Sequence, residues 1–177
     1  GAGGVGSAAI QLGKAAGATV IATAGGGAKV DLCRELGADI AVDYRKEDFV
    51  EIVNEATQGL GANVIYDPVG GDTFDRSRKC IAWEGRLLVI GFASGRIPQA
   101  PANHALVKNY SILGVYFARY NEMEPGFLQK VHTDLMQLQA AGKIQPVIGS
   151  QVTLQDAPEA IGRLVGRGTV GKVVVVL

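Results

Sequence analysis

The stretch Gly1-Ala2-Gly3-Gly4-Val5-Gly6, continued as Ser7–Ala24 and closed by Gly25-Gly26-Gly27, decides the fold. Gly1-x-Gly3-x-x-Gly6 opens an apolar helical pattern, with Val5, Ala8, Ala9, Leu12 and Ala16 on or near one face. Gly17 ends it, and Ala18–Ala24 follows as a β-branched run bounded by the glycine triplet. This is the second half of a βαβ unit. In such a unit the first glycine makes the tight turn and the second lets backbone approach a pyrophosphate. The third lets the helix pack against the sheet, and the helix N-terminus offers N–H donors to the phosphates. A glycine-rich turn that holds no nucleotide is the other reading of the same residues.

The motif should follow a strand, central in the 3-2-1-4-5-6 order of such sheets. No strand precedes Gly1, so the sequence is expected to be a piece of a longer protein whose first strand lies elsewhere.

Working outward, the chain alternates. Ile40–Asp43 reads as a strand and Asp48–Thr57 as an amphipathic helix with Phe49, Ile52, Val53 and Ala56 on one face. Asn63–Tyr66 reads as a strand ending at Asp67-Pro68-Val69-Gly70-Gly71, then Thr73–Ile81 as a helix. Arg86–Ile90 is a buried strand ending at Gly91-Phe92-Ala93-Ser94-Gly95. Asn103–Val107 is a short helix, Ser111–Tyr116 a strand, Phe127–Ala141 and Gln155–Val165 helices, and Lys172–Leu177 a strand. Strands alternating with helices predict an α/β fold with a doubly wound parallel sheet. Right-handed crossovers bring the glycine-rich strand ends to one edge, where open α/β sheets bind ligands.

Composition fits one globular domain: 177 residues, 47% apolar, mean hydropathy +0.19. Lys plus Arg and Asp plus Glu balance at 17 each, which leaves no basic field for nucleic acid or an anionic membrane. No apolar run approaches the roughly 20 residues that span a bilayer. The two cysteines, Cys33 and Cys80, form no CxxC or Cys/His cluster, so no zinc ligand set is evident. Nothing suggests an oxidising compartment, and a cytoplasmic location is expected. The glycines, 25 of 177, follow no collagen period and belong to turns and close approaches.

The second strand ends Ala22-Thr23-Ala24-Gly25, without the Asp or Glu that usually binds a ribose 2′-OH in NAD-binding units. The first acid is Asp31, inside the next helix, and Lys29 precedes it. Nothing repels a 2′-phosphate, so the residues point to NADP(H) over NAD. Lys29 also reads as a solvated first-turn residue.

The glycine turn, Leu36–Asp39, Tyr66–Gly71, Gly85–Gly95 and Gly171–Val174 together resemble the quinone oxidoreductase branch of the medium-chain dehydrogenase/reductase superfamily, along essentially the whole chain. The resemblance implies a Rossmann-type cofactor domain inserted into a GroES-like catalytic domain. Residues 1–140 would be the cofactor domain and residues 141–177 a remnant of the catalytic domain. It implies phosphate contacts at Gly3, Gly4, Val5 and Gly6. The 2′-phosphate would meet Lys29, Tyr44 and Arg167, though Tyr44 also reads as an interface residue and Arg167 as a helix C-terminal cation. The nicotinamide end would sit by Asp67, Val69, Gly91, Phe92, Ala93 and Phe117, of which Phe92 and Phe117 also read as packing aromatics. The implied reaction is NADPH-dependent hydride transfer to a quinone or activated enone, in a homodimer built on the Ser111–Val115 edge strand. An enoyl-thioester reductase, a zinc-free alcohol dehydrogenase-like reductase, and a non-catalytic NADP(H)-binding module are the competing readings. His104 and His132 stand alone, Asp67 at its strand end reads either as a chemical group or as orienting backbone near a ribose, and no catalytic acid–base pair is evident. The tail Val173–Leu177, from this copy or another, is a candidate to fill the slot of the absent first strand.

Overall fold

The computed structural model describes residues 1–166 and 168–177. In chain order the elements are α1 (Gly6–Ala15), β1 (Ile21–Ala24), α2 (Gly27–Glu35), β2 (Ile40–Asp43), α3 (Phe49–Ala56), β3 (Ala62–Asp67), α4 (Gly71–Ser77) and β4 (Ile81–Val89). Then come α5 (Ala102–Lys108), β5 (Ser111–Gly114), α6 (Phe117–Met123), α7 (Phe127–Ala140), β6 (Ile148–Thr153), α8 (Ala157–Val165) and β7 (Lys172–Val176). Every strand pairing among the described residues is parallel, and the α/β alternation follows the sequence expectation except for α6 and β6, which it did not foresee. The described residues form two compact units: Gly1–Glu47 with Thr133–Leu177, and Asp48–His132.

In the first unit β1 pairs with β2 and β6 with β7. The core is Ala2, Ile10, Ala22, Ala24, Val30, Cys33, Ala38 and Ala41. Most of these side chains are one methyl group, so the helices lie close on the strands. The inward face of α1 differs from the sequence expectation. Ser7 and Ile10 are buried, whereas Val5 and Leu12 are 49% and 37% exposed. The buried face mixes Ser7 and Ile10 with closely approached glycines. A Cβ at Gly13 would lie 3.0 Å from Val20 Cγ2, and one at Gly6 would lie 2.5 Å from Gly1 O. Counting apolar side chains overlooks such a face, because its glycines carry none.

The tail does not fill a slot beside β1. β7 pairs in parallel with β6, Val173 opposite Ser150 and Val176 opposite Thr153. Just before it, Gly171 bridges to Gly3 and donates from N to Ala2 O at 2.8 Å. The Gln11 side-chain amide clasps the backbone of Gln145: Nε2 donates to its O at 2.9 Å and Oε1 accepts from its N at 2.7 Å. The C-terminal segment is thereby tied to α1. β6 was not legible as a strand, because Gly149, Ser150 and Gln151 interrupt its apolar pattern.

In the second unit the order is β3-β4-β5, with β5 at an edge. Phe74, Ile81, Leu87 and Tyr110 form its core. The predicted helix over Thr73–Ile81 ends early, at Ser77, and Ile81 opens β4. Gly61, at φ +81°, permits this: a Cβ there would lie 2.8 Å from Cys80 O, and Ala62 N donates to that same oxygen at 2.8 Å. Ala62 pairs with Ile81 but Val64 with Arg86, so extra residues bulge out of β4 around Glu84, whose φ is +52°. α3 buries Phe49 and Val53, half-buries Ile52 and leaves Ala56 exposed.

Several carboxyls are held below the usual range by donors in the fold. Asp39 accepts from Val20 N and from Lys14; Asp48 accepts from Val50 N and from Arg76; Asp75 pairs with Arg96. A carboxyl whose folded pKa lies below its unfolded value contributes stability above the unfolded pKa and loses it as pH falls through the folded one. The melting temperature is therefore expected to decline below about pH 4, with a shallower decline in Asp48→Asn, as read by circular dichroism across a pH series.

Candidate cofactor site

The first unit gathers its candidate residues at two turns. At the Gly3–Gly6 turn, Ser7 N donates to Gly3 O at 2.9 Å and Val5 caps α1. No side chain caps this helix and no acid lies in its first turn, so the positive end of its dipole is left to an outside anion. Gly6 makes the close approach to Gly1 that the third glycine of the motif serves. Gly3 is the opposite case: a Cβ there would meet nothing within 4 Å, leaving backbone open to a ligand. Beside Gly4 lies a residue that sequence reasoning passed over. A Cβ at Gly4 would sit 3.2 Å from Lys172 Cγ and 3.3 Å from its Nζ. The bridge between Gly3 and Gly171 is what puts this ammonium over the turn. The only signal in the sequence was a Lys directly after the Gly171 that starts the last strand.

The second turn follows β1. Tyr44, directly after β2 and 42% exposed, lies across Gly25: a Cβ there would fall 2.5 Å from its Oη and 3.0 Å from Arg45 Nε. Lys29 lies half-buried in the first turn of α2. The nearby carboxylate, Asp43, is buried and occupied. Its Oδ1 accepts from Gly26 N at 3.0 Å and from Arg45 N at 3.1 Å, and these backbone donors, Gly26 foremost, hold its carboxyl below the usual range. β1 itself ends in Ala24-Gly25, without an acid. The donor set therefore suits a nucleotide with an anionic group on its ribose. Arg167 lies outside the described residues.

In the second unit the loops after β3 and β4 are stitched together. Asp67, 2% exposed, accepts at Oδ1 from Val69 N at 2.8 Å and Gly70 N at 3.0 Å, while its buried Oδ2 has no partner. Ala93 N donates to Pro68 O, and Ser94 N to Val69 O. A Cβ at Gly91 would lie 3.3 Å from Pro68 O, and one at Gly70 3.0 Å from the Phe92 ring. So Asp67, Val69, Gly91, Phe92 and Ala93 share one loop cluster. Phe92 packs on Gly70 and is still 41% exposed. Phe117 opens α6 and packs on Phe127, centroids 6.0 Å apart. His104 Nδ1 lies 3.3 Å from Tyr110 Oη, and burial pushes its pKa down. His132 is exposed on α7. Among the described residues, no group of three or more His, Cys, Asp or Glu is placed to hold a metal ion, and no helix is long and apolar enough to cross a membrane.

Comparison with known proteins places this geometry. The zinc-binding dehydrogenase family profile matches residues 4–133. The chain belongs to this family. That agrees with the resemblance to medium-chain dehydrogenases/reductases. A "Quinone oxidoreductase-like protein 2 homolog" from Nematostella vectensis is 40% identical over 148 residues, 83% of this chain and 40% of that protein. The quinone oxidoreductase of Pseudomonas syringae pv. tomato superposes with a TM-score of 0.90 at 32% identity, over 99% of this chain and 54% of the other. The Escherichia coli quinone oxidoreductase, solved in complex with NADPH, gives a TM-score of 0.87 at 31% identity, over 99% and 55%. The chain thus spans about half the length of the family members it matches.

Two glycine substitutions separate the roles in the turn. Gly6→Ala forces a Cβ against Gly1 backbone and is expected to lower the unfolding free energy by about 1–3 kcal/mol. Gly3→Ala, with open space around it, should stay within about 0.5 kcal/mol of the parent. Urea unfolding followed by circular dichroism reads both.

Proposed function

We propose that this chain is the cofactor-binding part of an NADPH-dependent oxidoreductase that passes a hydride to a quinone or an activated enone. The observation that carries the reading is the pair of turns in the first unit. One is an uncapped glycine turn with Lys172 beside it; the other is a strand end without a carboxylate, crossed by Tyr44 and Arg45 and followed by Lys29 in the first turn of α2. The NADPH complex of the E. coli relative supports it. NADPH, when bound, supplies the hydride; the protein supplies orientation and a dry pocket.

In this reading Gly3, Gly4, Val5, Gly6 and Lys172 hold the pyrophosphate, and Lys29, Tyr44 and Arg167 hold the 2′-phosphate. Asp67, Val69, Gly91, Phe92, Ala93 and Phe117 serve the nicotinamide end. Residues 141–177 belong to the catalytic domain of the longer protein, which works in the cytoplasm and contributes the rest of the substrate pocket.

Titration of the chain with NADPH and NADH, followed by calorimetry, tests the reading. NADPH is expected to bind at least about tenfold tighter, a difference of roughly 1.4 kcal/mol. Equal or tighter binding of NADH overturns it. Lys172→Ala should weaken both cofactors alike, since both carry the pyrophosphate. Turnover of quinones rather than enoyl thioesters by the longer protein separates the quinone reading from an enoyl reductase.

The same family reading makes β5 a dimer seam. Ser111–Gly114 is an edge strand with Leu113 42% exposed, and such an edge is a pairing or aggregation site unless covered. Sedimentation is expected to show a dimer at micromolar concentration, and Leu113→Lys a monomer.

A further inference from the structure

We propose that Arg45 is a specificity residue that clamps the cofactor's 2′-phosphate; the proposal rests on the NADPH reading above. Its guanidinium lies beside Gly25 and Gly26, directly after β1. A Cβ at Gly25 would fall 3.0 Å from Arg45 Nε, and one at Gly26 would fall 3.6 Å from its Nη1. The same Gly25 position is 2.5 Å from Tyr44 Oη, so a phenol and a guanidinium converge on one short stretch of bare backbone. A side chain at Gly25 would push both away.

Their placement is built in. The buried Asp43 Oδ1 accepts from Gly26 N and from Arg45 N at once, pinning the loop after β1 to the loop after β2. Asp43 holds Arg45 through its backbone N–H and feels the guanidinium charge without a hydrogen bond to it, so the N–H fork is left for another partner. Among the described residues no carboxylate pairs with the Arg45 guanidinium within ion-pair distance. β1 offers none either, since it ends in Ala24. A guanidinium presents a planar fork that binds a phosphate through two parallel hydrogen bonds, which an ammonium does not. The chemical class it takes is a phosphate monoester on an adenosine ribose. NADH lacks that group, so Arg45 acts on the choice between the cofactors rather than on affinity for both.

The experiment compares wild type, Arg45→Ala and Arg45→Lys in calorimetric titrations with NADPH, NADH, 2′-AMP and 5′-AMP. Arg45 is exposed, so both variants are expected to keep the parent melting temperature. Arg45→Ala should weaken NADPH and 2′-AMP by about 10- to 100-fold and leave NADH and 5′-AMP unchanged. Arg45→Lys should lose less, keeping the charge without the fork. Unchanged NADPH preference in Arg45→Ala overturns the role of Arg45 alone. Equal weakening of NADPH and NADH also overturns it, since that is a general loss of binding. A wild type that does not prefer NADPH overturns the cofactor reading as well, which makes the two failures distinguishable.

Discussion

The close approach of α1 to the backbone at Gly1, possible only because Gly6 has no side chain, is the constraint on which the first unit rests. It sets the helix on its glycine face and buries Ser7 and Ile10. Residues Ala2 and Gly3 are then held from the other side by Gly171, through a hydrogen bond and a bridge. Gln11, one turn along α1, clasps Gln145 and ties down the start of the C-terminal segment. The result is a turn gripped by two distant parts of the chain. Its open side carries N–H groups, unblocked space at Gly3, and a lysine contributed by the tail.

A second constraint acts at the next turn. Asp43 would be the natural acid to look for near a ribose, yet it is buried and spends its carboxylate on Gly26 N and Arg45 N. A negative charge present in the sequence is thus used to fix the loop. Tyr44 and Arg45 then lie beside the bare backbone of Gly25, which is the arrangement that the proposed 2′-phosphate site uses.

Much of this was legible in the sequence because it is local. The alternation of elements, the ends of β2 at Ile40 and Asp43, and the glycine turn all follow from period and punctuation. What was not legible depends on contacts far along the chain. The inward face of α1 carries Ser7 and Ile10 beside glycines, which a count of apolar residues does not pick out. The early start of β4 depends on Gly61, some twenty residues before it, whose positive φ lets two backbones meet. Lys172 lies beside Gly4 only because of a bridge between the two ends of the chain, and no spacing rule connects them. Arg45 is adjacent to a residue that the family resemblance names, but its direction depends on the Asp43 pin.

The central claim is that the phosphates of a dinucleotide rest on the turns of the first unit. Amide chemical shifts of the isotopically labelled chain, recorded while NADP+ is added, test it most directly. The largest changes are expected at Gly3–Ser7 and at Gly25–Lys29 with Tyr44. Changes confined to Asp48–His132, or no changes at saturating cofactor, would contradict it.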